Sequence, residues 1–163
     1  MPVGSGWDVP NDVRDRVEFH WFHVPVAGAL VLAILSNAPA WYVGHFDKGR
    51  MRQCTGKGCE YCAKGLGSQL RYVVSAVDIS THQVGVFEFG ASVSLLIQQW
   101  SSGLGYLHGM VVEIMRASKN KHSRMEISLI REAPLAWVMA TPPLDLIEIL
   151  ERTWERADNG GGK

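Results

Sequence analysis

All three cysteines of the chain, and one histidine, fall in the order His45, Cys54, Cys59, Cys62 within one short stretch. Cys59 and Cys62 form a C-x2-C pair, two thiolates that can clasp one ion from a tight turn. Cys54 stands five positions before Cys59, and Gly56 and Gly58 let the backbone fold back so that three sulfurs converge. A closed tetrahedral site needs a fourth ligand. His45 is best placed, because it ends a strand candidate just upstream, whereas His82, His108 and His122 would have to arrive by folding. Three thiolates and an imidazole suit zinc, since an iron–sulfur cluster more often takes four cysteines. The expected site is therefore a structural zinc held by His45, Cys54, Cys59 and Cys62. Two other readings compete with it. One is a chance cluster of free thiols with His45 an ordinary core or surface residue. The other is a catalytic zinc with an open position. The deaminase pattern H-x-E…P-C-x-x-C is absent, and Glu60 lies between two ligands as a solvated side chain, so no enzyme is expected.

The surroundings agree with metal ligation. An odd, crowded set of cysteines without a signal-peptide pattern fits disulfide scaffolding poorly. The longest apolar run, residues 24–35, contains Pro25 and Gly28 and is too short to span a bilayer, so a soluble, cytoplasmic protein without membrane partners is expected. A chain of 163 residues that is 47% apolar suits one domain with a sizeable core. Domain organisation reads as a flexible arm over 1–15, one domain over 16–157 with a zinc loop at 45–62, and a flexible tail over 158–163.

Periodicity along the chain predicts mostly strands. Residues 17–23, 29–35, 40–46, 70–77 and 84–89 read as strands, with Asn37-Ala38-Pro39 as a turn and 78–83 as a polar hairpin connection. Residues 91–100 place Val93, Leu96, Ile97 and Trp100 on one helical face. A second hairpin pairs 110–116 with 124–130 across a polar, basic tip. Pro134, Pro142 and Pro143 mark irregular chain, and 144–156 reads as a closing amphipathic helix with Leu146, Ile147, Leu150 and Trp154 on one side. The expected fold is mainly β: a small closed OB-fold-like barrel with an inserted zinc loop, one internal helix and a C-terminal helix.

Net charge is zero, so any affinity for nucleic acid must come from local asymmetry. That asymmetry exists. Residues 47–71 hold six cations (Lys48, Arg50, Arg52, Lys57, Lys64, Arg71) against two acids, a local +4. The hairpin tip adds Arg116, Lys119, Lys121 and Arg124 with no acid among them, while residues 145–158 hold five acids against two arginines, a local −3. Unpaired strands are held by cations along phosphates and by flat side chains under bases. Trp41, Tyr61 and Tyr72 are the aromatic candidates, although alternation alone leaves open whether Trp41 or Tyr42 faces the core. In an OB-type barrel the two basic clusters would flank one cleft.

The order His, Cys, Cys, C-x2-C inside a barrel loop resembles the zinc subdomain of T-even-phage-type single-stranded DNA-binding proteins. The apolar strand running into His45 is similar, as are Val86-Phe87-Glu88-Phe89-Gly90 leading into a helix and the basic-tipped last hairpin; together they span roughly residues 29–131. The resemblance implies a non-catalytic, largely sequence-independent binder of single-stranded DNA, acting in replication, recombination or repair in a bacterial or phage-infected cell. RNA is compatible with the same contacts. Three departures stand out: a smaller zinc loop, an N-terminal arm that is not markedly basic, and no long acidic tail. They bear on cooperativity and on recruitment of replication or recombination proteins. Other classes are an adaptor that docks such proteins through the zinc loop and terminal helix, and a zinc enzyme acting on nucleotides. Oligomeric state is not legible.

Overall fold

The computed structural model describes residues 20–120, 123–130 and 134–159, without the side chains of Arg50 and residues 153–159. The expected arm over 1–15, the start of the strand candidate at 17–23, Lys121, Trp154 as a packing residue, and 160–163 lie outside that description.

Seven antiparallel strands build the sheet: β1 (Ala29–Ile34), β2 (Ala40–Asp47), β3 (Arg50–Gln53), β4 (Ser68–Asp78), β5 (Val84–Phe89), β6 (Val111–Arg116) and β7 (Met125–Ile130). Among the described residues four helices accompany them: α1 (Glu60–Ala63), α2 (Ala91–Leu104), α3 (Ala136–Ala140) and α4 (Leu146–Asn159). The pairing path runs β3-β2-β4-β1-β6-β7, with β5 on β4. Among the described residues no ladder joins the outer strands to one another, so the sheet is open where a closed barrel was expected.

β4 is the organising strand. β5 pairs with its residues Tyr72 to Val77, which overlap the residues that pair with β2 (Ser68 to Val73) and with β1 (Ala76 to Asp78). β1 and β2 must therefore share the edge opposite β5, following one another in the same direction. The Asn37-Ala38-Pro39 stretch, expected as a turn, is a bend that interrupts the strand line without reversing it. Ser36 fills the break, its hydroxyl oxygen accepting the Ser75 N–H at 2.8 Å.

Strand alternation then sorts the side chains onto two faces. One carries Leu32, Ile34, Val74, Ala76, Phe87, Phe89, Val112 and Ile114, and α2 covers it with Val93 and Ile97. On the other, α3 covers Ala33, Leu35, Val77 and Val111 with Val138, and α4 covers Ala40, Tyr42, Val73 and Val86 with Leu146, Ile149 and Leu150. The second half of β1, Leu32 to Ile34, is buried on both faces, in keeping with its unbroken apolar run. On α2, Leu96 is 39% exposed while Ser94 is buried, so its covered stripe is rotated from the expected one.

The strand expected at 17–23 is, over its described part, a single parallel bridge between Trp21 and Val86. Gly85 lets that segment approach: a Cβ there would stand 2.6 Å from the His20 carbonyl oxygen and 2.9 Å from the Phe22 ring. Gly85→Ala is expected to cost about 1–3 kcal/mol through overpacking against backbone. An unchanged midpoint in urea denaturation would show that the segment yields freely.

Candidate metal centre and the sheet face beside it

β2 extends past the covered core, and its outer end supports a small lobe. Asp47 and Arg50 pair across a two-residue turn, Lys48 (φ 49°) and Gly49 (φ 78°), which returns the chain as β3. The basic loop expected here is thus a hairpin. From β3 the chain enters the cysteines: the Cys54 N–H donates to the Val43 carbonyl at 2.8 Å, tying the first cysteine to β2. Gly56 and Gly58 both take positive φ, 80° and 83°, and the Cys59 N–H donates to the Gly56 carbonyl at 3.1 Å. Cys59 caps the single-turn helix α1, so Cys62 follows one turn later on the same side.

This folding brings the four expected ligands together. His45 Nε2 stands 3.4 Å from Cys62 Sγ and 3.7 Å from Cys59 Sγ, and Cys54 Sγ is 3.7 Å from Cys62 Sγ. All four ligand atoms lie within 4.8 Å of one another. Ligands about 2.0–2.3 Å from a tetrahedral ion stand roughly 3.5–3.8 Å apart, so the quartet has the dimensions of a tetrahedral cage. His45 is fully buried, and its other ring nitrogen, Nδ1, lies 3.1 Å from both the Leu66 and Gly67 carbonyl oxygens. An N–H at Nδ1 donating there leaves the Nε2 lone pair pointing at the sulfurs, the tautomer a metal ligand needs. Sulfur and nitrogen donors in this geometry fit a metal ion.

The cluster's own electrostatics are compatible with a cation. The backbone N–H groups of Cys62 and, less, of Thr55 and Tyr61 draw the Cys59 thiol down to about 6 against the opposing effect of burial. The Gly56 N–H and then His45 lower Cys54. Cys62, sharing a hydrogen bond with Cys54 and partly desolvated, is pushed up to about 11. His45 is raised, chiefly by its hydrogen bond to Cys54. Negative charge is thus favoured at two sulfurs and resisted at the third, and a bound dication would remove that resistance.

The register also decides which aromatics are free. Trp41 pairs with Tyr72, Val43 with Leu70, and His45 with Ser68 and Arg52, so these side chains share the face that carries the quartet. Tyr42 is on the opposite face under α4, buried and hydrogen-bonded to Glu88, and burial raises its pKa. Trp41 is 64% exposed and Leu70 40%, beside half-buried Tyr72, which stacks on Phe89 at 5.9 Å. Past His45 the strip meets Tyr61, whose ring is 5.9 Å from the imidazole, with the Lys64 ammonium 5.3 Å above it. Lys57 is exposed at the tip of the knuckle.

The remaining basic candidates lie elsewhere. Arg71 is on the Tyr42 face, paired with Glu88 at 3.1 Å, and so is a structural cation. Arg116 donates to the Ser123 carbonyl at 3.0 Å, and Arg124 is 3.7 Å from Glu126. Lys119 is exposed on the hairpin tip. Because Ala29 pairs with Met115, that tip extends from the start of β1, whereas the metal lobe sits at the end of β2. The two basic clusters occupy opposite ends of the β1–β2 line and not the two lips of one cleft. Val43 and Leu70, not among the expected contact residues, share the face of Trp41 and Tyr72, a placement that strand alternation signals. No family model, curated protein or solved structure matches the chain.

Proposed function

We propose that this chain is a non-catalytic, largely sequence-independent single-stranded DNA-binding protein on an OB-like sheet, with a structural zinc in the His45, Cys54, Cys59, Cys62 quartet. The observation that carries the reading is the strip Trp41, Val43, Leu70, Tyr72 running along one sheet face into a lobe that holds Arg52, Lys57, Tyr61 and Lys64. The exposed Trp41 ring, with the half-buried rings of Tyr72 and Tyr61 beside it, gives a base a stacking surface regardless of its identity, and cations beside them track phosphates. Zinc supplies rigidity: it fixes the lobe against β2 so that Tyr61 and Lys64 stay beside the strip. Action in replication, recombination or repair is what the resemblance to the phage-type family implies for such a binder.

Labelled poly-dT is expected to bind at low salt and quench tryptophan fluorescence, with duplex of the same length bound far more weakly. Absence of poly-dT binding at low salt would end the proposal. Trp41→Ala is expected to weaken binding by about 1–3 kcal/mol, the loss of one stacked base. Its exposure predicts an unchanged fold, so unaltered affinity in that variant would move the site off this face.

A further inference from the structure

The break between β1 and β2 and the entry to α4 enclose a cleft of about 570 Å³ whose lining includes Ser36, Pro39, Trp41, Pro143, Asp145 and Ile147. That volume is within the range of specific binding clefts. Its apolar walls are open to solvent: Ile147 is 58% exposed and Trp41 64%, and nothing among the described residues covers them. The flank is acidic. Asp145 belongs to the lining, Glu148 and Glu151 are exposed on the next turn, and although Arg152 pairs with Glu148 at 2.5 Å, the described side chains of 145–152 keep three acids against that one cation. Asp145 has a structural duty as well, accepting the Glu148 N–H at 3.1 Å, which holds the carboxylate at the mouth of the cleft.

We propose that this cleft docks a short extended segment of a partner protein, with leucine or proline side chains in the apolar trough and arginine or lysine on the acidic flank. The acidic flank repels phosphate, so a nucleic acid strand is excluded from this side of Trp41. A second copy of the chain offers cations at its hairpin tip, but Ser118, Lys119 and Asn120 bring no apolar anchor to fill the trough. A proline-bearing segment suits an aromatic- and proline-lined groove because its extended conformation is already formed before binding. This inference is independent of the nucleic-acid reading, although Trp41 borders both surfaces.

The test uses the full chain and fluorescence anisotropy with a synthetic labelled peptide, a leucine–proline core flanked by arginines. One control peptide carries glutamates for the arginines, and another carries serines for the core. Saturable binding of the arginine-flanked peptide alone is expected. Ile147→Ser, at an exposed position, should weaken it about tenfold or more, as loss of a central anchor does. The double variant Asp145→Asn, Glu151→Gln keeps a capping side chain and should abolish the preference for arginine over glutamate flanks. Poly-dT affinity should be the same in Ile147→Ser as in the parent, which separates failure here from failure of the nucleic-acid reading. The proposal is overturned by a lack of saturation, by equal binding of the glutamate peptide, or by indifference to Ile147→Ser. Sedimentation showing a dimer that Ile147→Ser dissociates would also overturn it, assigning the cleft to a second copy.

Discussion

Cys59→Ser is expected to strip the metal and melt the lobe while the sheet core stays folded. Elemental analysis should find about one equivalent of zinc in the parent and none in the variant. The lobe has little else to hold it. α1 is four residues long and buries none of them, far below the length at which a helix stands alone. None of the four ligands belongs to the three apolar clusters of the core. With a metal in the quartet, its binding energy would be the folding energy of this lobe, and its loss would be worth several kcal/mol there. Serine does not replace the sulfur, because a neutral hydroxyl is a poor ligand where soft thiolate is wanted. Hydrogen exchange reads the effect locally. The amides of Cys54, Lys64 and Leu66, bonded to Val43, Glu60 and Tyr61, should lose protection by a factor on the order of a thousand or more, since each 1.4 kcal/mol is tenfold. Val74, in the centre of β4, should be unaffected. Unchanged lobe protection in a zinc-free variant would show that the quartet is a cluster of free thiols.

What could be read from the sequence follows the range of the interactions involved. The quartet was legible because three ligands are close in sequence and their chemistry restricts the ion. β5 was legible to the residue, bounded by the polar turn at 78–83 and by Gly90. α2 runs four residues further than its apolar stripe suggested. Gly103 does not break it, and it ends at Gly105, whose positive φ of 83° forms the C-cap. β3 was hidden because a two-residue turn inside a basic stretch looks like loop, and α3 because five residues among prolines carry no readable period. The open sheet was out of reach, since closure depends on register between distant strands. So was the role of Arg71, whose partner Glu88 is seventeen positions away on another strand. The same limit applied to Trp41 and Tyr42: alternation separated them, but only α4, arriving from the far end of the chain, decides which one is covered.

Placing the hairpin tip at the opposite end of the sheet from the metal lobe makes the salt dependence of binding diagnostic. Each phosphate neutralised on a single strand contributes about −0.7 to the slope of log K against log salt. Among the described side chains three cations accompany the aromatic strip, Arg52, Lys57 and Lys64, and none of them is in an ion pair there. Arg71 is already committed to Glu88. Three contacts give a slope of about −2, and raising salt from about 50 to 200 mM should weaken poly-dT binding roughly twentyfold. If Arg116, Lys119 and Arg124 also touched phosphates, six contacts would steepen the slope to about −4 and the loss to several hundredfold. The expected result is the shallower line, with Lys64→Ser reducing the slope by about 0.7 and Lys119→Ser leaving it unchanged. A slope near −4 that falls on Lys119→Ser would mean that a single strand follows the whole β1–β2 line, from the hairpin tip to the metal lobe. A slope near zero would mean that the lobe's cations do not meet phosphate at all, and Trp41 and Tyr72 would then have to be explained by a ligand without charge.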